Sequence, residues 1–168
     1  KQARSGLSNA YVEMGDLDNG QKELEVLFAR MPDDPGINND LGYLYADRGQ
    51  KLEEAERMIR KALEDEPDNG SFLDSLGWVL YRRGKFEEAL VPLEKAAKIQ
   101  AGDATIFDHL GDVYFRLRET AKARTSWEKA EALMSKSVPP DKKLPDVRRK
   151  LDALKQQPVP PNTSNDNP

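Results

Sequence analysis

Ser71, Asp74, Trp78, Tyr81 and Arg82 stand at i, i+3, i+7, i+10 and i+11, so a helix carrying them presents all five on one face. Thirty-four residues later the same positions hold Thr105, Asp108, Asp112, Phe115 and Arg116. Thirty-five residues earlier, four of them hold Asn39, Tyr43, Ala46 and Asp47, and one step earlier still the series is Gln2, Ser5, Asn9, Val12 and Glu13. These residue types suit recognition. Tyr43, Trp78, Tyr81 and Phe115 offer large rigid surface at low entropy cost, the usual make-up of binding hot spots. Asn9 and Asn39 can hydrogen-bond a peptide backbone, and Asp74, Asp108 and Asp112 favour a basic or amine-bearing ligand. Arg82 and Arg116 lie near the edge of the face. A second reading stays open: the aromatics pack between neighbouring helices, and the acids form a solvated face.

The same residues make poor reaction centres. His109 is the single histidine. Asp108 is its chain neighbour, but adjacent helical residues do not face each other. Asp74 and Asp108 stand at one repeat position and could form a carboxylate pair. Nothing in the sequence supplies a pocket to shift either pKa. Asp108 and Asp112, one helical turn apart, are a weak cation candidate. The chain has no cysteine, which excludes thiolate chemistry and Cys-based metal sites. No Gly-rich phosphate loop is present. The expectation is therefore no catalytic residue, no metal and no cofactor.

Composition narrows the partner class. With 168 residues the chain can build one real core, and 33% charged against 38% hydrophobic residues is a soluble globular balance. Net charge is −4 and the sequence pI is near 5.2. A nucleic-acid binder usually carries a basic face, so this balance argues against one. No apolar run approaches the roughly 18 residues of a membrane span. The chain opens at Lys1 and not Met, and reads as an excised piece of a longer protein.

The elements that carry the stripe repeat with it. Leu-Gly recurs at Leu41-Gly42, Leu76-Gly77 and Leu110-Gly111, and Gly15, Gly49 and Gly84 punctuate the end of the same helix. A small residue followed four later by a large one recurs at Ala55/Ile59, Ala89/Leu93 and Ala123/Trp127. A second small position gives Ala62, Ala96 and Ala130. Pro32 and Pro67 close the first two units. Four units follow, 1–34, 35–69, 70–103 and 104–137, the second with an extra residue near Gln50-Lys51. In the third, Leu73, Leu76, Gly77 and Leu80 mark one apolar helical face. Phe86, Ala89, Leu90, Leu93, Ala96 and Ala97 mark a second helix. Paired helices pack with axes about 8–10 Å apart, depending on the side chains between them. Gly77 and Ala89 permit close approach, which offsets the helix propensity that Gly77 costs, up to about 1 kcal/mol. Pro92 lies inside the second helix, removes the bond to Glu88 and predicts a kink.

This pattern resembles the tetratricopeptide repeat, W-x2-L-G-x2-Y, then A-x3-F, then P. The fourth unit reads Phe107, Leu110, Gly111, Tyr114, Ala123, Trp127, and the second reads Asn38, Leu41, Gly42, Tyr45, Ala55, Ile59, Pro67. The first unit departs, with Ser8 for the Gly, Gly20 for the Ala and Leu27 for the second small residue. Ala101 replaces the Pro that should end the third. The resemblance covers residues 1–137. It implies an all-α, right-handed superhelical solenoid of about four antiparallel helix pairs, whose first helices line a concave groove holding the stripe. It implies a non-catalytic scaffold that binds a peptide or helical segment of another protein. Some members hold a partner's C-terminal carboxylate with Lys, Asn and Arg. Here Ser5, Asn9, Asn39, Ser71 and Ser75 take the corresponding places, which speaks against that use.

Beyond the repeats, Pro139, Pro140 and Pro145 break the helix, and residues 146–157 form one more. Val147, Leu151 and Leu154 share a face that can cover the exposed edge of a solenoid. Lys142, Lys143, Arg148, Arg149 and Lys150 read as a solvated basic face or a contact for an acidic partner. Residues 158–168 have no apolar periodicity and read as a disordered tail, which leaves open that the tail fills the groove. End-to-end self-assembly is the alternative to partner binding, because the degenerate first unit carries no obvious cap. "NNDLGYLYADRG", "FLDSLGWVLYRRGKFEEAL" and "HLGDVYFRLRETAKARTSWEKA" look like the C-terminal repeats of bacterial tetratricopeptide proteins, several of them envelope lipoproteins that act as adaptors. That likeness implies a bacterial source and leans toward the envelope.

Overall fold

The computed structural model describes residues 11, 14–139 and 141–156. The first helix of the first unit, Asn9 within it, and the tail lie outside the described residues. The described chain is all helical: α1 (Leu17–Arg30), α2 (Pro35–Asp47), α3 (Leu52–Asp65), α4 (Gly70–Arg82), α5 (Phe86–Ile99), α6 (Ala104–Arg116), α7 (Thr120–Met134) and α8 (Leu144–Lys155).

Each helix start has a local cause. Asp34, Asn69 and Asp103 precede α2, α4 and α6, and their side chains accept the backbone N–H of Ile37, of Ser71 and Phe72, and of Thr105. Such caps satisfy donors that a helix leaves open, each worth about 1 kcal/mol. The stops between paired helices use left-handed residues, Gly49 (φ 67°) and Gly84 (φ 78°). The same place after α6 holds Arg118 at φ 62°, a conformation costly for a side chain with a Cβ. The extra residue of the second unit is absorbed at Lys51, which turns left-handed (φ 45°) at the entrance of α3.

Packing follows the repeat. The pairs α2/α3, α4/α5 and α6/α7 form hairpins, and α2, α4 and α6 lie side by side. Ala55, Ala89 and Ala123, and likewise Ala62, Ala96 and Ala130, are fully buried. A Cβ added at Gly77 would lie within 3 Å of the Leu93 side chain, and one at Gly111 within 3 Å of the Trp127 indole. The missing side chains are what let those helices close on Leu93 and Trp127. Between repeats, Lys61 Nζ reaches the Pro32 carbonyl at 3.0 Å and pairs with Asp33, and Lys95 Nζ does the same to Pro67 (3.0 Å) and Asp68 (2.7 Å). Glu56, buried in α3, binds Arg60, Arg83 and Lys85. Pro92 is accommodated within α5, on its buried side. The apolar face of α8 (Leu144, Val147, Leu151, Leu154) is buried, and the helix packs on α7. No helix of the described residues is long and apolar enough to cross a membrane.

Candidate partner-binding groove

The stripe residues on α2, α4 and α6 come together as a layer of rings. Trp78 stacks on Tyr81 at 5.1 Å between centroids and 11° between planes. Its other side stacks on His109 at 4.2 Å and 13°, and the Tyr43 ring lies 6.5 Å beyond His109. Tyr81 continues to Phe86 at 5.5 Å. Phe115, 39% exposed, leans on Trp127 at 5.7 Å. Tyr43, Trp78 and Tyr81 are half-buried, so the rings pack between repeats and still face outward in part. The Trp78 indole nitrogen is buried with no hydrogen-bond partner among the described residues.

The arginines sit on this layer. The Arg82 guanidinium lies 5.6 Å from the Trp78 ring and donates to the Asp47 carbonyl at 2.5 Å. Arg116 lies 4.3 Å from the Phe86 ring. Asn39 is buried; its Nδ2 donates to Asp40 Oδ1 at 3.2 Å, and its Oδ1 has no partner among the described residues.

The acids are engaged internally. Asp74 Oδ1 and His109 Nδ1 are 2.9 Å apart, with Asp74 7% and His109 2% exposed. His109 therefore takes its carboxylate from the preceding repeat, 35 residues away, and not from Asp108 beside it. The imidazole is a buried link between α4 and α6 and stacks on Trp78. Asp108 and Asp112 share one cation: Lys150 Nζ is 2.6 Å from Oδ1 of each. Asp112 Oδ1 also accepts the Trp127 indole N–H at 3.2 Å. The Lys150 ammonium takes the place that a metal ion between these two carboxylates would occupy.

Lys150 corrects the reading of residues 142–150 as one solvated basic face. It follows Val147 by three residues, so it flanks the buried stripe of α8 and its stem crosses toward α6. Burial pushes the Asp112 carboxyl up, and the charge of Asp108 adds to this, against the opposing pull of Lys150. Burial works against the Lys150 ammonium, yet Asp112 and Asp108 outweigh it and hold its pKa above the usual value. Burial also raises the Tyr43 phenol, and Asp47, Asp74, Asp108 and Asp103 raise it further, so the field along this face is negative.

Where α8 crosses, Tyr81, Asp112, Phe115, Trp127, Lys150 and Ala153 line an open pocket of about 270 Å³. It joins the groove of α4 and α6 to the inner side of α8. The sequence stripe contained Tyr81, Asp112 and Phe115 but missed Trp127, Lys150 and Ala153, which come from the second helix of the repeat and from α8.

Residues 46–105 match the tetratricopeptide repeat family model. The TPR repeat-containing protein PA4667 of Pseudomonas aeruginosa is 44% identical over 70 residues, which is 42% of this chain and 12% of that protein's length. Among solved structures, MamA MSR-1 C2 superposes with a TM-score of 0.58 at 26% identity, over 77% of this chain and 74% of that one. The MamA 41-end structure from Desulfovibrio magneticus RS-1 gives 0.61 at 20% identity, over 92% and 86%. The Yersinia enterocolitica type III secretion translocator chaperone SycD gives 0.65 at 18% identity, over 72% and 91%. The last two likenesses concern the fold alone. Repeat spacing, helix-pair packing, the matched segment and the solved neighbours agree: residues 46–105 carry tetratricopeptide repeats, and the described chain has the fold of a tetratricopeptide-repeat solenoid.

Proposed function

We propose that the chain is a non-catalytic adaptor that receives an extended or helical segment of another protein in the groove of α2, α4 and α6. Tyr43, Trp78, Tyr81 and Phe115 are its anchoring surface, and Arg82 and Arg116 are held on rings at its edge. The repeat limits 35–69, 70–103 and 104–137 belong to this reading and are supported by the pairs α2/α3, α4/α5 and α6/α7. One observation carries it: aromatic rings are layered across the first helices yet stay partly exposed, with Phe115 39% exposed. A prearranged ring surface needs little ordering on binding, so the partner bears most of that cost. The match of residues 46–105 to the tetratricopeptide repeat supports a protein partner.

Asp74 and Asp108 act in this reading through the groove's shape and field, since they already hold His109 and Lys150, whereas Asp112 pairs with Lys150 and stays 14% exposed. The test is capture from a lysate of the source cells by the native chain and by Tyr43→Ala/Trp78→Ala/Tyr81→Ala, with far-UV circular dichroism to confirm that the variant stays helical. Loss of a captured protein in a helical variant supports the groove, and equal capture by both removes it. End-to-end self-assembly predicts instead a light-scattering mass that rises with concentration in the native chain alone.

A further inference from the structure

We propose that the cavity beneath α8 is a pocket for an arginine side chain of the bound segment. The inference rests on the groove reading and gives it a specificity element. Three aromatic residues, Tyr81, Phe115 and Trp127, line a space of about 270 Å³ together with the Asp112–Lys150 pair. Its charge is unbalanced. The lining carries Asp112 and Lys150, and Asp108, outside the lining, places a second carboxylate on the same ammonium, so the three groups together keep one negative charge. The Asp112 side chain is 14% exposed and retains acceptor capacity, while the Lys150 ammonium already bridges two carboxylates. An anion meets net repulsion there. A cation meets a carboxylate behind aromatic faces, the environment that favours a guanidinium.

The groove repeats this chemistry with its own residues. Arg82 lies over Trp78 and Arg116 over Phe86, at 5.6 and 4.3 Å. An arginine suits the pocket better than a short cation, because its three-carbon stem covers apolar wall while the head reaches the carboxylate. The chain's own tail is a poor occupant: residues 157–168 contain no Lys or Arg and one Asp. Lys150 and Ala153 make α8 a wall of the pocket as well as a cover for the last repeat.

The test is a titration of the ¹⁵N-labelled full chain, following the indole N–H signals of its two tryptophans. The probes are blocked Gly-Arg-Gly, its neutral citrulline isostere and Gly-Glu-Gly. The arginine peptide is expected to shift the Trp127 indole signal saturably. The citrulline peptide should bind at least tenfold more weakly and the glutamate peptide not at all. Phe115→Ala and Asp112→Asn should each weaken the arginine peptide about tenfold. Phe115→Ala leaves the Lys150 pairs in place, so it separates the pocket wall from α8 docking. Equal binding of the arginine and citrulline peptides overturns the proposal, as does an arginine response that Phe115→Ala leaves unchanged, or no response. A Trp127 signal that moves on deletion of residues 157–168, or on dilution, with no peptide present, overturns it in favour of the tail or a second copy. A partner captured through Trp78 and Tyr81 by a chain that ignores the arginine peptide leaves the groove standing and removes only the pocket.

Discussion

Lys150→Met removes the ammonium between Asp108 and Asp112 and keeps a stem of similar length. Breaking a buried ion pair by deleting one partner costs about 3–5 kcal/mol, because the other charge stays buried. Here the lysine side chain is 26% exposed and the two carboxylates 9% and 14%, so solvent screens part of the loss. About 2–3 kcal/mol is expected at pH 7. The pH dependence has a definite sign. Asp112 is already pushed above the ordinary carboxylate value by burial and by Asp108, and without Lys150 it rises further. A carboxyl whose folded pKa exceeds its unfolded value, about 3.9, favours folding when protonated and loses that contribution as pH rises through the folded pKa. The variant's deficit should therefore be largest near neutrality and shrink as pH falls through the raised folded-state pKa of Asp112. Asp112→Asn added to Lys150→Met should recover about half of the loss. Urea unfolding followed by far-UV circular dichroism, with tryptophan fluorescence reporting on Trp127, measures all of this. A variant within about 0.5 kcal/mol of the parent at pH 7, or one whose deficit grows as pH falls, refutes the reasoning.

Other perturbations test the packing. Gly111→Ala puts a Cβ against the Trp127 indole and should cost about 1–3 kcal/mol by urea unfolding. Arg118→Gly relieves a left-handed side chain and should stabilise by about 0.5–1 kcal/mol, with a higher midpoint and an unchanged m-value. Glu56→Gln should cost about 1–2 kcal/mol at pH 7. Burial opposes the Glu56 charge, but Arg60 and Arg83 outweigh burial and hold the carboxyl below its usual range. Its contribution is therefore present above the unfolded value near 4.3 and lost as pH falls through the lower folded one, so parent and variant should converge only once pH lies below that folded pKa.

The solenoid was legible because repeat packing writes itself at fixed positions. Leu-Gly, the six buried alanines and the Leu93 and Trp127 knobs stand at constant spacing, and each has the same steric reason in every unit. The ring stripe was legible for the same reason. What escaped were contacts that cross between units off that spacing. His109 pairs with Asp74 from one repeat back, and helical geometry speaks only to its own helix. Lys150 lies on the shoulder of the α8 apolar stripe, where periodicity separates buried from exposed poorly, and only the placement of α8 brings it to Asp108 and Asp112. Arg118 in a left-handed turn leaves no mark in the sequence, because the glycine that signals such turns is absent there. The sequence offered the stripe carboxylates as ligand contacts or a solvated face, and the structure adds that they tie α4, α6 and α8 together through His109 and Lys150.

The central claim is that a partner segment lies against α2, α4 and α6. Hydrogen–deuterium exchange of the chain with and without its captured partner tests this most directly. Exchange should slow in peptides covering α2, α4 and α6, with α3 and α5 unchanged. Protection confined to α3, α5 and α7, with α2, α4 and α6 unaltered, would contradict it.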